Sequence, residues 1–304
     1  MTRAPGPGPG GALHDPAGPL HDPAGPLPDP AGPLPGPAGP LPGPAGPLHS
    51  LGVRPGMRLL VHAALGGTGL RAEALRDALL GALGPHGTLA VPAFTPENSK
   101  TSSAHLARTA GLSEEEVRAF RERMPAFDAA RTPSHGMGVL AEAVRTAPGA
   151  ARSAHPQTSF AAIGEGAREL CAEHPLTSHL GEESPLGRMC GKGWKVLMIN
   201  VGFSVCTAFH LAEYRIPKPP LRMYECVVKV NLPGLPGGQP GKPKGEGWTA
   251  YEDIALDDSD FAEIGRAFPQ ERVHRGQIGG ASTMLFALPH AVDHALEWMT
   301  ENRR

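Results

Sequence analysis

The chain has 304 residues, a formal net charge of -2 and 40% hydrophobic residues, which is enough for one large domain or two small ones. The near-neutral balance argues against nucleic acid as a main partner. The longest apolar run, residues 196–209, is interrupted by Asn200 and Ser204 and is too short to span a bilayer. No basic segment followed by an apolar core opens the sequence, so no signal peptide is expected. Cys171, Cys190, Cys206 and Cys226 show no CxxC spacing, so they read as free thiols in a reducing cytoplasm, without a zinc-type cluster.

Residues 1–49 are a low-complexity tail built on a seven-residue repeat: HDPAGPL from His14 and His21, PDPAGPL from Pro28, PGPAGPL from Pro35 and Pro42. Its prolines forbid a coiled coil. One leucine per repeat buries too little surface to offset chain entropy, so the tail is expected to be disordered or polyproline-like, and residues 50–304 form the folded domain. His14, His21 and His49 are too dispersed along a flexible tail to form a metal site.

In the folded part, 58–64 (RLLVHAA) reads as a strand, 65–69 (LGGTG) as a tight loop, 70–83 as a helix and 87–94 (GTLAVPAF) as the next strand. This β-loop-α-β unit places backbone N–H groups at a helix start, which suits an anionic ligand or is only a tight connection. His62, inside the strand, reads as a satisfied core histidine. The segment 95–105 (TPENSKTSSAH) is polar and loop-like, and Ser113 with Glu116 is a capping box opening a helix over 113–123. A helix is expected over 139–145, a polar stretch over 152–162, a short helix over 165–173 and a loop over 174–186.

Residues 196–201 suit a strand buried on both faces. Behind them Thr207 is a candidate early-helix or cap residue, and His210 and Glu213, three residues apart, share one helix face. A turn from a strand end into a helix lies where α/β proteins bind ligands, so His210 and Glu213 are either a reactive pair or an ordinary surface pair. Cys206 reads as a small buried residue, with a nucleophilic thiol as the alternative. A strand is expected over 224–230, a Pro/Gly-rich excursion over 231–247, helices over 258–268 and 289–302, and one strand over 276–288. The sum is an α/β fold: a single α-β-α layered domain with a central mixed or mainly parallel sheet.

Taken together, VHAALGGTG, GTLAVPAFT, MPAFDAARTPSHGMGVLAEAVR, RSAHPQTSFAAIGEGA, SPLGRM and TAFHLAEYR, with a weaker match in WTAYEDIALDDSDFAEIG and GQIGGAS, resemble the aminoglycoside 3-N-acetyltransferase family over residues 51–301. The resemblance implies transfer of acetyl from acetyl-CoA to an amine, without a metal. It points to His210, Glu213 and Thr207 for catalysis: His210 as general base, Glu213 holding its tautomer, and Thr207 stabilising the departing thiolate or the oxyanion. It also implies cofactor contacts from Ala63, Ala64, Leu65 and Gly66, from Arg131, Thr132, Met137 and Gly138, and from Ser153, His155 and Ser159. Acceptor contacts are implied for Glu97, Asn98 and Glu213. His155 stays open between structural hydrogen bonding and cofactor contact. The family usually has a hydroxyl residue where this chain has Ala64, a loss worth about 0.5–1.5 kcal/mol of cofactor binding.

The function so implied is acetylation of an antibiotic, at the 3-amino group of a 2-deoxystreptamine aminoglycoside, in a cytoplasmic resistance enzyme with a small-molecule amine as partner and no membrane or nucleic acid. The oligomeric state stays open, with a homodimer as one option. One alternative keeps the donor and changes the acceptor to a non-aminoglycoside amine of antibiotic biosynthesis. Another is a catalytically silent binding module working through the proline-rich tail.

Overall fold

A computed structural model describes residues 45–229 and 246–303. Most of the repeat tail and nearly all of the excursion expected over 231–247 lie outside the described residues. Helix α1 (Ala45–Leu51) leads into strand β1 (Arg58–Ala63), helix α2 (Ala72–Leu83) and strand β2 (Thr88–Pro92). Helices α3 (Ser103–Thr109), α4 (Glu114–Glu122) and α5 (Gly138–Arg145) follow, then strands β3 (Ala151–Arg152) and β4 (Phe160–Gly164). Next come helices α6 (Ala167–Cys171) and α7 (Pro185–Gly191), strand β5 (Lys195–Ile199), helix α8 (Phe209–Arg215) and strands β6 (Leu221–Lys229) and β7 (Glu246–Ile254). Helix α9 (Phe261–Ala267), strands β8 (His274–Ile278) and β9 (Ala281–Ala287) and helix α10 (Leu288–Asn302) complete the order.

Seven strands form one mixed sheet in the order β3-β4-β2-β1-β5-β9-β8. Only its centre is parallel: β1 pairs in parallel with β2 and with β5, and the remaining pairs are antiparallel. Side-chain alternation along the central strands sends Leu59, Val61, Leu197 and Ile199 to one face, where Leu75, Leu79, Leu140 and Val144 of α2 and α5 cover them. Leu60, Val196 and Met198 point to the other face, against Leu211 and Ala212 of α8 and Val292 and Met299 of α10. Each large aliphatic chain buried this way stabilises the fold by roughly 1.5–3 kcal/mol. Strands β6 and β7 form a separate antiparallel pair whose inner face carries Tyr224, Cys226, Val228 and Tyr251.

The layered α-β-α domain with a mixed sheet matches the sequence expectation, with differences at particular elements. The tail boundary lies too late in that reading, because Ala45–Leu51 is helical and Leu48, the leucine of the last repeat, is fully buried. A single repeat leucine becomes core when a neighbouring sheet edge receives it. The single strand expected over 276–288 is a hairpin, since Gly279 and Gly280 both take positive φ and turn the chain between β8 and β9. The polar stretch 152–162 folds back as the β3–β4 turn, and β7 occupies residues that gave no strand signal. The capping box at Ser113 and Glu116 is present.

Candidate active site

The C-terminal ends of the three parallel strands set the site, as the crevice rule for α/β sheets requires. The chain leaves β1 through Ala64, Leu65 and Gly66, leaves β2 toward Phe94 and Glu97, and leaves β5 through Val201, Ser204 and Thr207; all of these line one cavity of about 790 Å³. Asn200 pins two of these exits together. Held at φ 55, it donates from Nδ2 to the Ala64 carbonyl at 2.8 Å, and its own N–H reaches the Ser282 carbonyl at 2.7 Å. The wall opposite β1 is the start of α5, where Gly138 has φ 77 and a Cβ would stand 2.8 Å from the Ala63 carbonyl oxygen. Only glycine permits that approach.

His210 lines this cavity and also a smaller one of about 70 Å³ bounded by Gln157, Arg222, Tyr224 and Asp258. Its Nδ1 lies 2.6 Å from Glu213 Oε2 on the next turn of α8, and both residues are buried. A carboxylate only accepts, so the proton of the neutral ring sits on Nδ1, and Nε2 keeps a lone pair. Glu213 Oε1 accepts from the Asp257 N–H at 3.0 Å and from Arg303 Nη1 at 2.7 Å. With both oxygens committed, Glu213 supports His210 and is not placed to contact an acceptor. Thr207 lines the cavity, and its carbonyl accepts the His210 N–H at 3.2 Å. It is not the helix cap: that position is Ala208, with no side-chain cap bond.

Two neighbours of His210 stand out. His62 is not a satisfied core histidine, because its Nε2 is buried with no hydrogen-bond partner while the residue lines the larger cavity. Burial, and then the charge of His210, push its pKa down to about 4, so it is a neutral ring at physiological pH. Asp258 lines both cavities, and burial holds its carboxyl above the usual range although His210 pulls the other way. The sequence pattern missed Asp258; the only pointer was its place in the weakly resembling DDSDF segment.

Of the expected cofactor contacts, Ala63, Ala64, Leu65, Gly66, Met137 and Gly138 line the larger cavity together, with Glu97 from the acceptor set. Arg131, Thr132, Ser153, His155, Ser159 and Asn98 do not. Thr132 accepts the Asp128 N–H at 2.9 Å in the turn that also holds the Arg131 N–H, and Ser159 donates to the Ala93 carbonyl at 2.8 Å. Ser153 accepts the Phe160 N–H at 2.9 Å, and its Oγ lies 2.9 Å from His174 Nδ1. Fully buried His155 accepts the N–H groups of Gln157 and Thr158 at Nδ1, with Nε2 3.3 Å from the Leu176 carbonyl. His155 is therefore structural, packed at a tilt between the rings of His174 and His179 at centroid distances of 4.7 and 4.5 Å. Asn98 is buried with an unpartnered Oδ1. Cys206 is fully buried, and burial raises its thiol to about 12, so it offers neither access nor thiolate. Among the described residues, no group of three His, Cys, Asp or Glu is placed to hold a metal ion, and no helix is long and apolar enough to cross a membrane.

Known proteins resemble this chain in sequence and in fold. The family described as aminoglycoside 3-N-acetyltransferase matches residues 60–300. The SPbeta prophage-derived aminoglycoside N(3')-acetyltransferase-like protein YokD of Bacillus subtilis (strain 168) is 34% identical, over 84% of this chain and 90% of its own. Its crystal structure has a TM-score of 0.75, with 85% of this chain and 97% of that one covered. Aminoglycoside N(3)-acetyltransferase III of Serratia marcescens is 33% identical over 84% of this chain and 95% of its own. A structure of AAC-IIIb with CoASH, 27% identical, has a TM-score of 0.70 over 85% of this chain and 95% of that one.

Proposed function

Because the chain belongs to the aminoglycoside 3-N-acetyltransferase family, we propose that it transfers acetyl from acetyl-CoA to the 3-amino group of a 2-deoxystreptamine aminoglycoside, with His210 as the base. The observation that carries this reading is the His210–Glu213 pair, with His210 on the wall of both cavities and its Nε2 without a hydrogen-bond partner among the described residues. The larger cavity fits the donor. Its volume suits an extended ligand, its wall is mostly apolar, and the close approach of Gly138 to β1 leaves no side chain where one would fill it. Ala63 to Gly66, Met137 and Gly138 would hold that donor, whose thioester carbonyl is the electrophile. The absent hydroxyl at Ala64 leaves the backbone donors of that loop in place.

An amine is protonated at neutral pH and attacks only as the free base, so a base must take its proton during attack. His210 Nε2 does this, and Glu213 stabilises the imidazolium and keeps Nδ1 protonated throughout. Thr207 offers a hydroxyl on the cavity wall for the charge that develops on oxygen or sulfur. Asp258 and Glu97 supply carboxylates for the ammonium groups of a polycationic acceptor. The buried, unionised Cys206 supports direct transfer over a thiol-bound intermediate.

The test is acetyl-dependent CoA release over a panel of amines, including 2-deoxystreptamine aminoglycosides and small anionic amines. Aminoglycoside turnover is expected, with no acetyl label on enzyme incubated with acetyl-CoA alone. Turnover restricted to anionic amines would refute the acceptor, and a stable acetyl-enzyme that passes acetyl to an added amine would refute direct transfer.

A further inference from the structure

A carboxylate fixes an imidazole only if its own second oxygen is fixed. Glu213 Oε1 meets Arg303 Nη1 at 2.7 Å, and Arg303 is itself anchored at three further points: Nε to Asp260 Oδ2 at 2.7 Å, Nη2 to Asp260 Oδ1 at 2.6 Å, and Nη2 to the Asp257 carbonyl at 2.7 Å. Helix α10 packs along α8 and its end delivers Arg303, the next residue, to a partner 90 positions earlier in the sequence. The Glu213 side chain is 2% exposed, so this ion pair is desolvated on the carboxylate side and its geometry is constrained.

We propose that Arg303 is a positioning residue for the acetyl transfer, holding the Glu213 carboxylate at the angle that keeps the His210 ring turned toward the cavities and balancing part of that carboxylate's charge. The proposal rests on the reading of His210 as the base. A planar guanidinium suits the task because its fork spans Glu213 and Asp260 at once, which a single ammonium does not.

The charge balance gives a readout that a merely structural role would not move. His210 faces Glu213 on its own helix, His62 on β1, Asp258 in the segment before α9 and, further off, His179 ahead of α7. Glu213 in turn faces Arg303 and the Asp257 N–H, with Asp260 and Asp258 beyond and Tyr224 across from β6. Removing only the Arg303 charge leaves all the others, so the negative potential at the imidazole grows and its protonated form is favoured. The acid limb of the activity profile then moves to higher pH.

The full chain is compared as wild type, Arg303→Met, Arg303→Lys, Asp260→Asn, His210→Ala and the His210→Ala/Arg303→Met double variant. Arg303→Met is expected to lower kcat on the order of 10²-fold, with KM for acetyl-CoA within about twofold of wild type and the acid limb displaced upward. Arg303→Lys should recover part of kcat. Asp260→Asn loosens the same helix end without touching Glu213 and removes a negative charge, so its acid limb should not move upward. On the His210→Ala background, Arg303→Met should change nothing further. Wild-type kcat and profile in Arg303→Met, beside an inactive His210→Ala, would overturn the positioning role alone. Full turnover by His210→Ala would instead overturn the base. An equal profile shift in Asp260→Asn would reduce Arg303 to a structural tie and also overturn the proposal.

Discussion

His210 and His179 are both buried imidazoles whose Nδ1 lies 2.6 Å from a carboxylate, Glu213 in one case and Asp253 in the other. Their second ring nitrogens differ. His179 Nε2 lies 3.2 Å from both Gln157 Oε1 and the Tyr251 hydroxyl, and its ring is packed against His155, Tyr224 and Tyr251. His210 makes no such second bond among the described residues, and it faces two cavities. A carboxylate behind a histidine is thus no sign of catalysis by itself. What distinguishes a base from a structural polar cluster is whether the far nitrogen is already used.

The comparison is tested first by His210→Ala. Turnover should fall about 10²–10⁴-fold while the thermal midpoint moves less than in the closed cluster, because buried Glu213 keeps the Asp257 N–H and Arg303 as partners. The corresponding change in the closed cluster, His179→Ala, should act on folding. It leaves Asp253, whose pKa is held below the usual range against burial by His179 and Tyr214, with a buried charge short of its main partner, a loss of about 3–5 kcal/mol. Denaturant unfolding measures this, and an unchanged midpoint with abolished turnover would invert the comparison.

A graded effect, summed over several histidines, concerns acid. His62 is depressed to about 4 and His174 to about 3, both chiefly by burial, and His155 lies well below its ordinary value of 6.5. Between those values and 6.5 the unfolded chain binds protons that the folded chain does not, so stability rises with pH in this window. It is complete above 6.5 and should fall by about 1.4 kcal/mol per histidine for each pH unit below it. The loss levels off near pH 4 for His62 and near pH 3 for His174. Unfolding midpoints from neutral pH down to about pH 4 check this, and a flat profile would show that these rings are hydrated in solution.

The layered fold was legible because hydrophobic period and punctuation agree in the first β-loop-α-β unit and in the strand that precedes α8. His210 and Glu213 were legible for the same reason: their spacing on one short helix is local information. His155 was not. A His-Pro pair in a polar turn leaves structural hydrogen bonding and cofactor contact both open, and only tertiary packing, which places His174 and His179 against His155, decides between them. Arg303 left no trace in the pattern because its partner lies on another helix. Ser153 and Ser159 look like ligand donors in a sequence and are instead the hydrogen bonds that hold an edge hairpin to the sheet.

Tyr214, Tyr224 and Tyr251 are the only tyrosines in the chain, and all three stand in the closed cluster. Tyr214 donates to Asp253 at 2.7 Å, Tyr224 donates to the Ile254 carbonyl at 2.8 Å, and Tyr251 lies near Cys226 and His179. The molecule therefore carries its phenol chromophores in one place. Burial raises Tyr224 to about 12 and holds Tyr214 and Tyr251 well above the usual phenol range, so tyrosinate absorbance in alkali marks the opening of this cluster, without a label. Tyr224 also forms part of the wall of the smaller cavity beside His210, so a change at that wall would register in the tyrosine absorbance.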